Sequence, residues 1–300
     1  MIRVGELRDK KMVEEIILAL KAKGIPAVSE YLSEQDLYTI SVLSTDHLAL
    51  ATDLFRVKLG FKKPIEIDQQ WIKIKTIPRQ EMTYRILVIC VVLYLLNFAN
   101  FGDELFDILS FGKIDSSFFY EVMHGQIWRL ITPIFLHMSF MHILFNMLWF
   151  KDLGYLIENV FGKSFFLKFL LLSGVVSNSL QYCVNGPEFG GMSGVLYAFL
   201  GFIWVHKKIN TDFEFSIPRY DIVMMLGWYF VCLTGWLGPI ANTAHGTGLV
   251  TGIFTAVFFS FKWDKLHVQF LSLGTFFLIF TLAIEGYKLA GRYYILLWLK

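Results

Sequence analysis

From residue 83 onward the chain is a succession of apolar runs separated by short polar segments. A helical membrane span needs about 20 apolar residues, within roughly 17–25. The runs at 83–99, 139–159, 164–184, 192–206, 220–237, 243–261 and 267–284 are candidate spans by that measure. Inside hydrocarbon every backbone N–H and C=O must find its partner within the chain, which leaves helices for runs of this kind. The composition agrees. Of the 300 residues, 55% are hydrophobic and 17% charged, and the mean hydropathy is +0.54. That apolar excess excludes an ordinary soluble domain. The expected fold is an all-α polytopic membrane bundle with a small N-terminal α/β domain ahead of it.

The domain before the spans occupies 1–65. Residues 1–4 read as a short strand. Residues 10–23 read as a helix with Val13, Ile16, Ile17 and Leu20 on one face and Gly24 as its stop. Residues 25–32 and 37–43 alternate as paired strands, and Ser44 and Asp46 open a second helix that closes at Gly60. The order βαββα gives a small α/β sandwich without a glycine-rich phosphate loop. His47, in the first turn of the second helix, reads as a surface residue. Residues 66–81 are a linker, 82–262 the main helical domain, and 263–300 a seventh helix with an interfacial tail at 293–299. The N-terminus has no basic-then-apolar start, so no signal peptide is expected. Cys90, Cys183 and Cys232 each lie in an apolar run, at spacings that fit neither a zinc site nor a disulfide framework.

Lysine and arginine set the orientation. Lys62, Lys63, Lys73, Lys75 and Arg79 precede the first span. Lys163, Lys207, Lys208, Arg219, Lys262 and Lys265 fall in alternate loops, whereas the loops at 185–191 and 238–242 carry none. The N-terminus is therefore expected in the cytoplasm, and a seventh span puts the C-terminus outside. Lys151 and Asp152 neutralise each other at the inner end of the second span. The outer loop at 100–138 has only Lys113 and Arg129 against Asp103, Glu104, Asp107, Asp115 and Glu121, and is rich in aromatic residues. Such a segment can lie in the outer leaflet. Trp128-Arg129 near its end offers a five-donor guanidinium that can pin the loop by binding backbone carbonyls.

With this orientation the second, fourth and sixth spans all run inward, so their first residues share one depth. Ser193 opens the fourth, His245 lies in the first turns of the sixth, and His142 and Asn146 lie in those of the second. A serine hydroxyl needs a base to act as a nucleophile, and a neutral imidazole supplies one. No carboxylate lies beside His245 in sequence to serve as a third member. His142 and Asn146, four residues apart, project from one helix face as donors for a developing oxyanion, with the Ser193 N–H at a helix N-terminus as another. Gly191 clears space before the serine. Tyr197 shares its helix face and is placed to stack on His245. Gly248 and Gly252 face Gly194 and Ala198 as small-residue surfaces that let two helices approach closely. His137 falls on a different face from His142 and is expected in a loop or capping role. No His-Glu-x-x-His pair and no pair of intramembrane aspartates occur, so neither metal nor aspartyl hydrolysis is expected. Nor is any cofactor or nucleic-acid partner. No internal repeat of the kind that marks a transporter is found. A non-enzymatic membrane binder on the same scaffold is the remaining alternative.

Four motifs in this order resemble the rhomboid intramembrane serine proteases, and most closely their bacterial GlpG-type branch. They are Trp128-Arg129, the stretch from His137 through His142 to Asn146, Gly191-Met192-Ser193-Gly194, and Ala244-His245 followed by Gly248 and Gly252. Glu158 and Gly162 resemble the inner end of that family's second helix. The likeness covers roughly 80–262. It implies a six-helix core, a Ser193–His245 dyad without an acid, and an oxyanion pocket from the Ser193 N–H, His142 and Asn146. It implies single-span membrane proteins as substrates, cut near the outer face of a bacterial inner membrane. It also implies a gate at 229–239, with Phe230 and Trp236 as gate residues and Gly235, Gly238 and Pro239 shaping a cap. The seventh helix departs from that pattern.

Overall fold

The computed structural model describes residues 1–61, 68–113, 116–238, 240–260 and 264–298. Lys62, Lys63, Pro64, Asp115, Pro239, Lys262, Leu299 and Lys300 lie outside them, as do the expected boundaries at 65 and 262. The chain forms two compact units, Met1–Ile67 and Asp68–Lys300.

The first unit is a three-stranded antiparallel sheet with two helices. Strands β1 (Ile2–Leu7), β2 (Ala27–Leu32) and β3 (Leu37–Val42) lie in the order β1-β3-β2. Helix α1 (Lys10–Ala22) starts where the Asp9 carboxylate accepts from the N–H groups of Lys11 and Met12. Helix α2 (Leu48–Lys58) follows a 3₁₀ turn, Thr45–His47, capped by Ser44. Val13, Ile16 and Leu20 of α1 pack with Ile40 and Val42 of β3 and Ala51 of α2. The first strand runs three residues beyond its expected end because it pairs with β3 as far as Leu7–Tyr38.

The second unit is helical. Helix α3 (Gln69–Lys75) precedes α4 (Glu81–Leu96), which continues through a π-helical turn, Asn97–Phe101, into α5 (Gly102–Leu109). A short α6 (Tyr120–Met123) and two 3₁₀ turns, Ile127–Leu130 and Thr132–Phe135, lead to α7 (Phe140–Asn185). Then come α8 (Ser193–Ile209), α9 (Arg219–Leu233), α10 (Asn242–Phe259) and α11 (Lys265–Trp298). Phe140–Asn185 and Lys265–Ala290 are long and apolar enough to cross a membrane.

The runs expected as two helices, 139–159 and 164–184, are two arms of α7 that meet at Gly162, where φ is +83°. Among the described residues nothing lies within 4 Å of a Cβ built there, so conformation rather than crowding calls for glycine. Just before the bend, Glu158 accepts from the backbone N–H groups of Met82 (3.0 Å) and Thr83 (2.8 Å) and from the Thr83 hydroxyl (2.8 Å). One carboxylate thus caps α4 and ties it to α7. Helix α9 stops at Leu233, four residues before its expected end, where Gly235 takes φ +76°. Residues 293–298 of the expected interfacial tail continue α11 as helix.

Helix α8 is buried on every side, from Gly194 through Ile203. A helix apolar all round belongs in a core, and α7 and α10 enclose this one. The α8–α10 contact is made by small residues. A Cβ on Gly248 would lie 2.8 Å from the Gly194 carbonyl carbon, and one on Gly252 2.8 Å from that of Ala198. Helix α11 runs antiparallel along α10, with a Cβ on Gly274 2.6 Å from the Phe254 ring and one on Gly246 2.9 Å from Thr281 Cγ2.

Candidate active site

The segment before α8 threads a narrow passage. The Gly191 N–H donates to the Pro133 carbonyl at 2.9 Å. A Cβ on Gly190 would stand 2.9 Å from the Leu136 carbonyl oxygen. Gly191 adopts φ +120°, and a Cβ there would stand 2.5 Å from His142 Nε2. Both the dihedral and the imidazole therefore demand glycine. Ser193 follows as the first helical residue of α8, and the N-cap position belongs to Met192.

The Ser193 hydroxyl does not cap its own helix. Its Oγ lies 2.7 Å from His245 Nε2, on the first turn of α10. For Nε2 to accept from that hydroxyl the ring proton must sit on Nδ1, a tautomer assigned from the bonding pattern. His245 is buried, and its Nδ1 has no hydrogen-bond partner among the described residues. The ring is held by packing: Tyr197 lies against it with centroids 4.8 Å apart and planes tilted by 33°. Tyr197 is fixed in turn by donating its hydroxyl to the Met225 carbonyl of α9 at 2.9 Å. The expected stack is a tilted contact, because the Tyr197 hydroxyl is directed at α9.

His142 sits in the first turn of α7, where its N–H is capped by the Ser139 hydroxyl at 3.2 Å. Its Nε2 faces the Gly191 backbone. Asn146 is buried one turn on. Its amide nitrogen donates to the His142 carbonyl at 2.7 Å, while its Oδ1 is buried without a partner among the described residues. A half-turn of the amide exchanges these two atoms. His137 is buried beside this pair, 5.0 Å from the His142 ring, with Nδ1 3.2 Å from the Phe135 carbonyl.

Arg129 is buried 2% exposed in the loop that closes this side. Its guanidinium donates to the carbonyls of Ser110 (2.7 Å) and Asp107 (2.6 Å) and to Gln126 Oε1 (2.7 Å). Trp128 Nε1 donates to the Ile108 carbonyl at 3.2 Å, and the Thr132 hydroxyl to that of Leu109 at 2.7 Å. Residues 107–110 are the C-terminal end of α5, whose last carbonyls have no partner within the helix. Trp128, Arg129 and Thr132 take all of them.

Several polar residues at the site escape motif reasoning. Gln181 Oε1 accepts from the Ala244 N–H at 3.0 Å, next to His245. Asn178 donates to the Leu130 carbonyl at 3.0 Å, and Ser177 Oγ stands 2.7 Å from where a Gly194 Cβ would be. A signal existed: Ser173, Ser177, Gln181 and Asn185 recur every four residues in an otherwise apolar run, one polar stripe on a helix. Phe230, expected at a gate, packs on Phe277 and Phe280 of α11 at 6.2 and 6.0 Å, while Trp236 is 87% exposed. Among the described residues no group of three or more His, Cys, Asp or Glu is arranged to hold a metal.

A hydroxyl hydrogen-bonded to a buried imidazole, beside a helix N-terminus and a second histidine, is a nucleophile–base arrangement of the serine-hydrolase class. The comparisons narrow the class. Residues 124–262 match the family model described as Rhomboid domain. It is 33% identical over 176 residues to Rhomboid protease GlpG of Salmonella paratyphi A, covering 58% of this chain and 62% of that protein. The protein of the same name from Salmonella typhi is 33% identical over the same coverage, and that from Salmonella choleraesuis 32%. The chain thus spans about three fifths of the length of the curated relatives it matches. Helix α11 lies wholly outside the matched domain.

Proposed function

We propose that this protein is an intramembrane serine endopeptidase of the rhomboid type that cuts single-span membrane proteins near the outer face of a bacterial inner membrane. The observation that carries the reading is the 2.7 Å contact between Ser193 Oγ and His245 Nε2 at the start of a buried helix. The relatives' name, Rhomboid protease, supports it. In this reading the N-terminal unit is cytoplasmic, six spans form the core and α11 adds a seventh.

His245 Nε2 takes the Ser193 proton as Oγ attacks the scissile carbonyl. The oxyanion that forms is met by the Ser193 N–H, by His142 and by the Asn146 amide. Each such donor is typically worth about 2.7–4 kcal/mol of barrier. The protonated imidazole then gives its proton to the leaving amine, and water, activated by the same nitrogen, releases the acyl group from Ser193. Depth favours this chemistry. The 17 residues of α8 rise about 25 Å, against roughly 30 Å of hydrocarbon. With His206, Lys207 and Lys208 of its last turn at the inner interface, Ser193 lies just below the outer one.

Cleavage of a single-span reporter by the purified chain, lost on Ser193→Ala and on His245→Ala, is the expected result. Labelling by a fluorophosphonate should need both residues. Undiminished cleavage after Ser193→Ala refutes the reading. A folded parent that neither cleaves nor labels favours the membrane binder.

A further inference from the structure

Helix α11 brings a carboxylate to the site from outside the Rhomboid-matched span. Glu285 is 3% exposed. Its Oε1 accepts from the Asn242 amide at 3.2 Å and from Lys288 Nζ at 2.6 Å, and its Oε2 from the Asn185 amide at 3.3 Å. Asn242 is the first residue of α10 and lies one turn before His245. Its amide nitrogen also donates to the Cys232 carbonyl of α9 at 3.2 Å. Asn185, the last residue of α7, accepts from the Thr243 hydroxyl at 3.2 Å. Glu285 therefore joins three chain ends at the rim: the end of α7, the end of α9 and the start of α10. A second contact lies one turn deeper, where the Tyr229 hydroxyl meets the Thr281 hydroxyl and Thr281 fills the space beside Gly246.

A carboxylate in a membrane helix is costly, and a hydrophobic residue would pack α11 onto α10 at lower cost. The cost has a use here. His245 has no third catalytic member: its Nδ1 has no partner among the described residues, and Tyr197 touches only its face. Its position relative to Ser193 thus depends on where the first turn of α10 sits. The Glu285–Asn242 bond is a polar tether on that turn.

We infer that Glu285 is a positioning residue for the Ser193–His245 pair, acting through Asn242 to seat the first turn of α10, so that α11 is a working part of the site. The inference rests on the serine endopeptidase reading.

The test uses the full chain in detergent. It compares the parent with Glu285→Ala and Glu285→Gln by kcat and KM on a single-span reporter, the rate of Ser193 labelling by a fluorophosphonate, and the thermal midpoint. Glu285→Ala should lower kcat and the labelling rate by about tenfold with KM within about twofold, since only alignment of the pair is lost. Glu285→Gln keeps an acceptor oxygen for Asn242 and should recover to within about threefold of the parent. A purely structural role would lower the midpoint and leave kcat per folded molecule unchanged, which overturns the inference. Parental kcat and labelling in Glu285→Ala overturn it as well. If Glu285→Ala does not fold, Asn242→Ala, which removes the same tether from the α10 side, decides: parental kcat and labelling, or a change confined to KM, overturns the inference. A parent that shows no Ser193-dependent cleavage or labelling overturns the endopeptidase reading itself, and this inference with it.

Discussion

Gly248→Ala adds one methyl group at the place where the structure has least room for it. The Cβ would lie 2.8 Å from the Gly194 carbonyl carbon and nearer still to its oxygen, whereas ordinary contact begins at 3.4 Å. Clearing the carbon takes about 0.6 Å and clearing the oxygen roughly twice that. The obstacle is backbone, so no rotamer change relieves it. Helices α8 and α10 must part by about 1 Å, and overpacking of this kind typically costs about 1–3 kcal/mol. Gly194 follows Ser193 directly and Gly248 lies three residues after His245. The separation therefore falls on the 2.7 Å contact between Ser193 Oγ and His245 Nε2. An increase of that size carries the contact past about 3.6 Å, where no hydrogen bond survives. A 1 Å misplacement can cost about 10²-fold in rate, and that is the expected loss of labelling by a fluorophosphonate. Gly252→Ala meets the Ala198 carbonyl carbon at the same 2.8 Å, one turn farther from the pair. It should destabilise equally and reduce labelling less. Gly227→Ala, with nothing among the described residues within 4 Å of the new Cβ, should change neither. Labelling rate and thermal midpoint in detergent read both effects. Labelling of Gly248→Ala within about threefold of the parent, or a larger loss in Gly252→Ala, refutes the reasoning.

Arg129→Ala strands the carbonyls of Asp107 and Ser110 and the Gln126 side chain. A loss of about 3 kcal/mol in unfolding free energy is expected, with little recovery in Arg129→Lys, because one ammonium cannot reproduce the guanidinium fork. Parental stability of Arg129→Ala in a detergent unfolding titration counts against the loop-pinning role. Ahead of α11, hydrogen bonds from the His267 ring, the His267 N–H and the Leu266 N–H hold the Asp264 carboxyl below its ordinary range. A carboxyl whose folded pKa is depressed adds stability that is complete above its unfolded value, near 3.9, and is lost as pH falls through the folded one. Asp264→Asn should therefore lower the thermal midpoint at pH 7, with the gap closing as the pH drops below about 4. A gap independent of pH rules out the linkage.

Hydropathy reads where apolar runs lie, and it errs where conformation and transfer energy part company. The run at 220–237 stays apolar through Trp236 and Leu237, but the helix ends at Leu233. There the Thr234 hydroxyl folds back on the Val231 carbonyl, and Gly235 turns the chain. At α11 the error is opposite. Glu285 and Lys288 look like the end of a span, yet they satisfy each other and the helix continues. The meeting of Ser193 and His245 was legible because polar residues are rare in such runs and helix parity gave both one depth. The small residues at 194, 198, 248 and 252 indicated which faces touch. The Glu285–Asn242 bond was not legible. Its partners are 43 positions apart, and no spacing rule links them.

In the endopeptidase reading proposed above, the same contacts decide how a substrate reaches Ser193. From Met225 to its end, helix α9 is held among the described residues by three side-chain bonds to three different helices. Met225 accepts from Tyr197 of α8, Tyr229 bonds to Thr281 of α11, and Cys232 accepts from Asn242 of α10. Swinging α9 outward breaks all three, at about 1 kcal/mol each and more for groups left buried and unpaired. It also removes the anchor of the Tyr197 hydroxyl, and with it the fixed ring face against His245. The turn that follows is built differently. Gly235 and Gly238 hold positive φ, with no atom of the described residues beyond their chain neighbours within 4 Å of a Cβ built on either, and Trp236 is 87% exposed. Displacing residues 235–238 breaks none of the three bonds and leaves Asn242, and with it the first turn of α10, where Glu285 holds it. An opening confined to the turn therefore costs less than one that moves the helix, and it is the one that leaves Ser193 and His245 aligned.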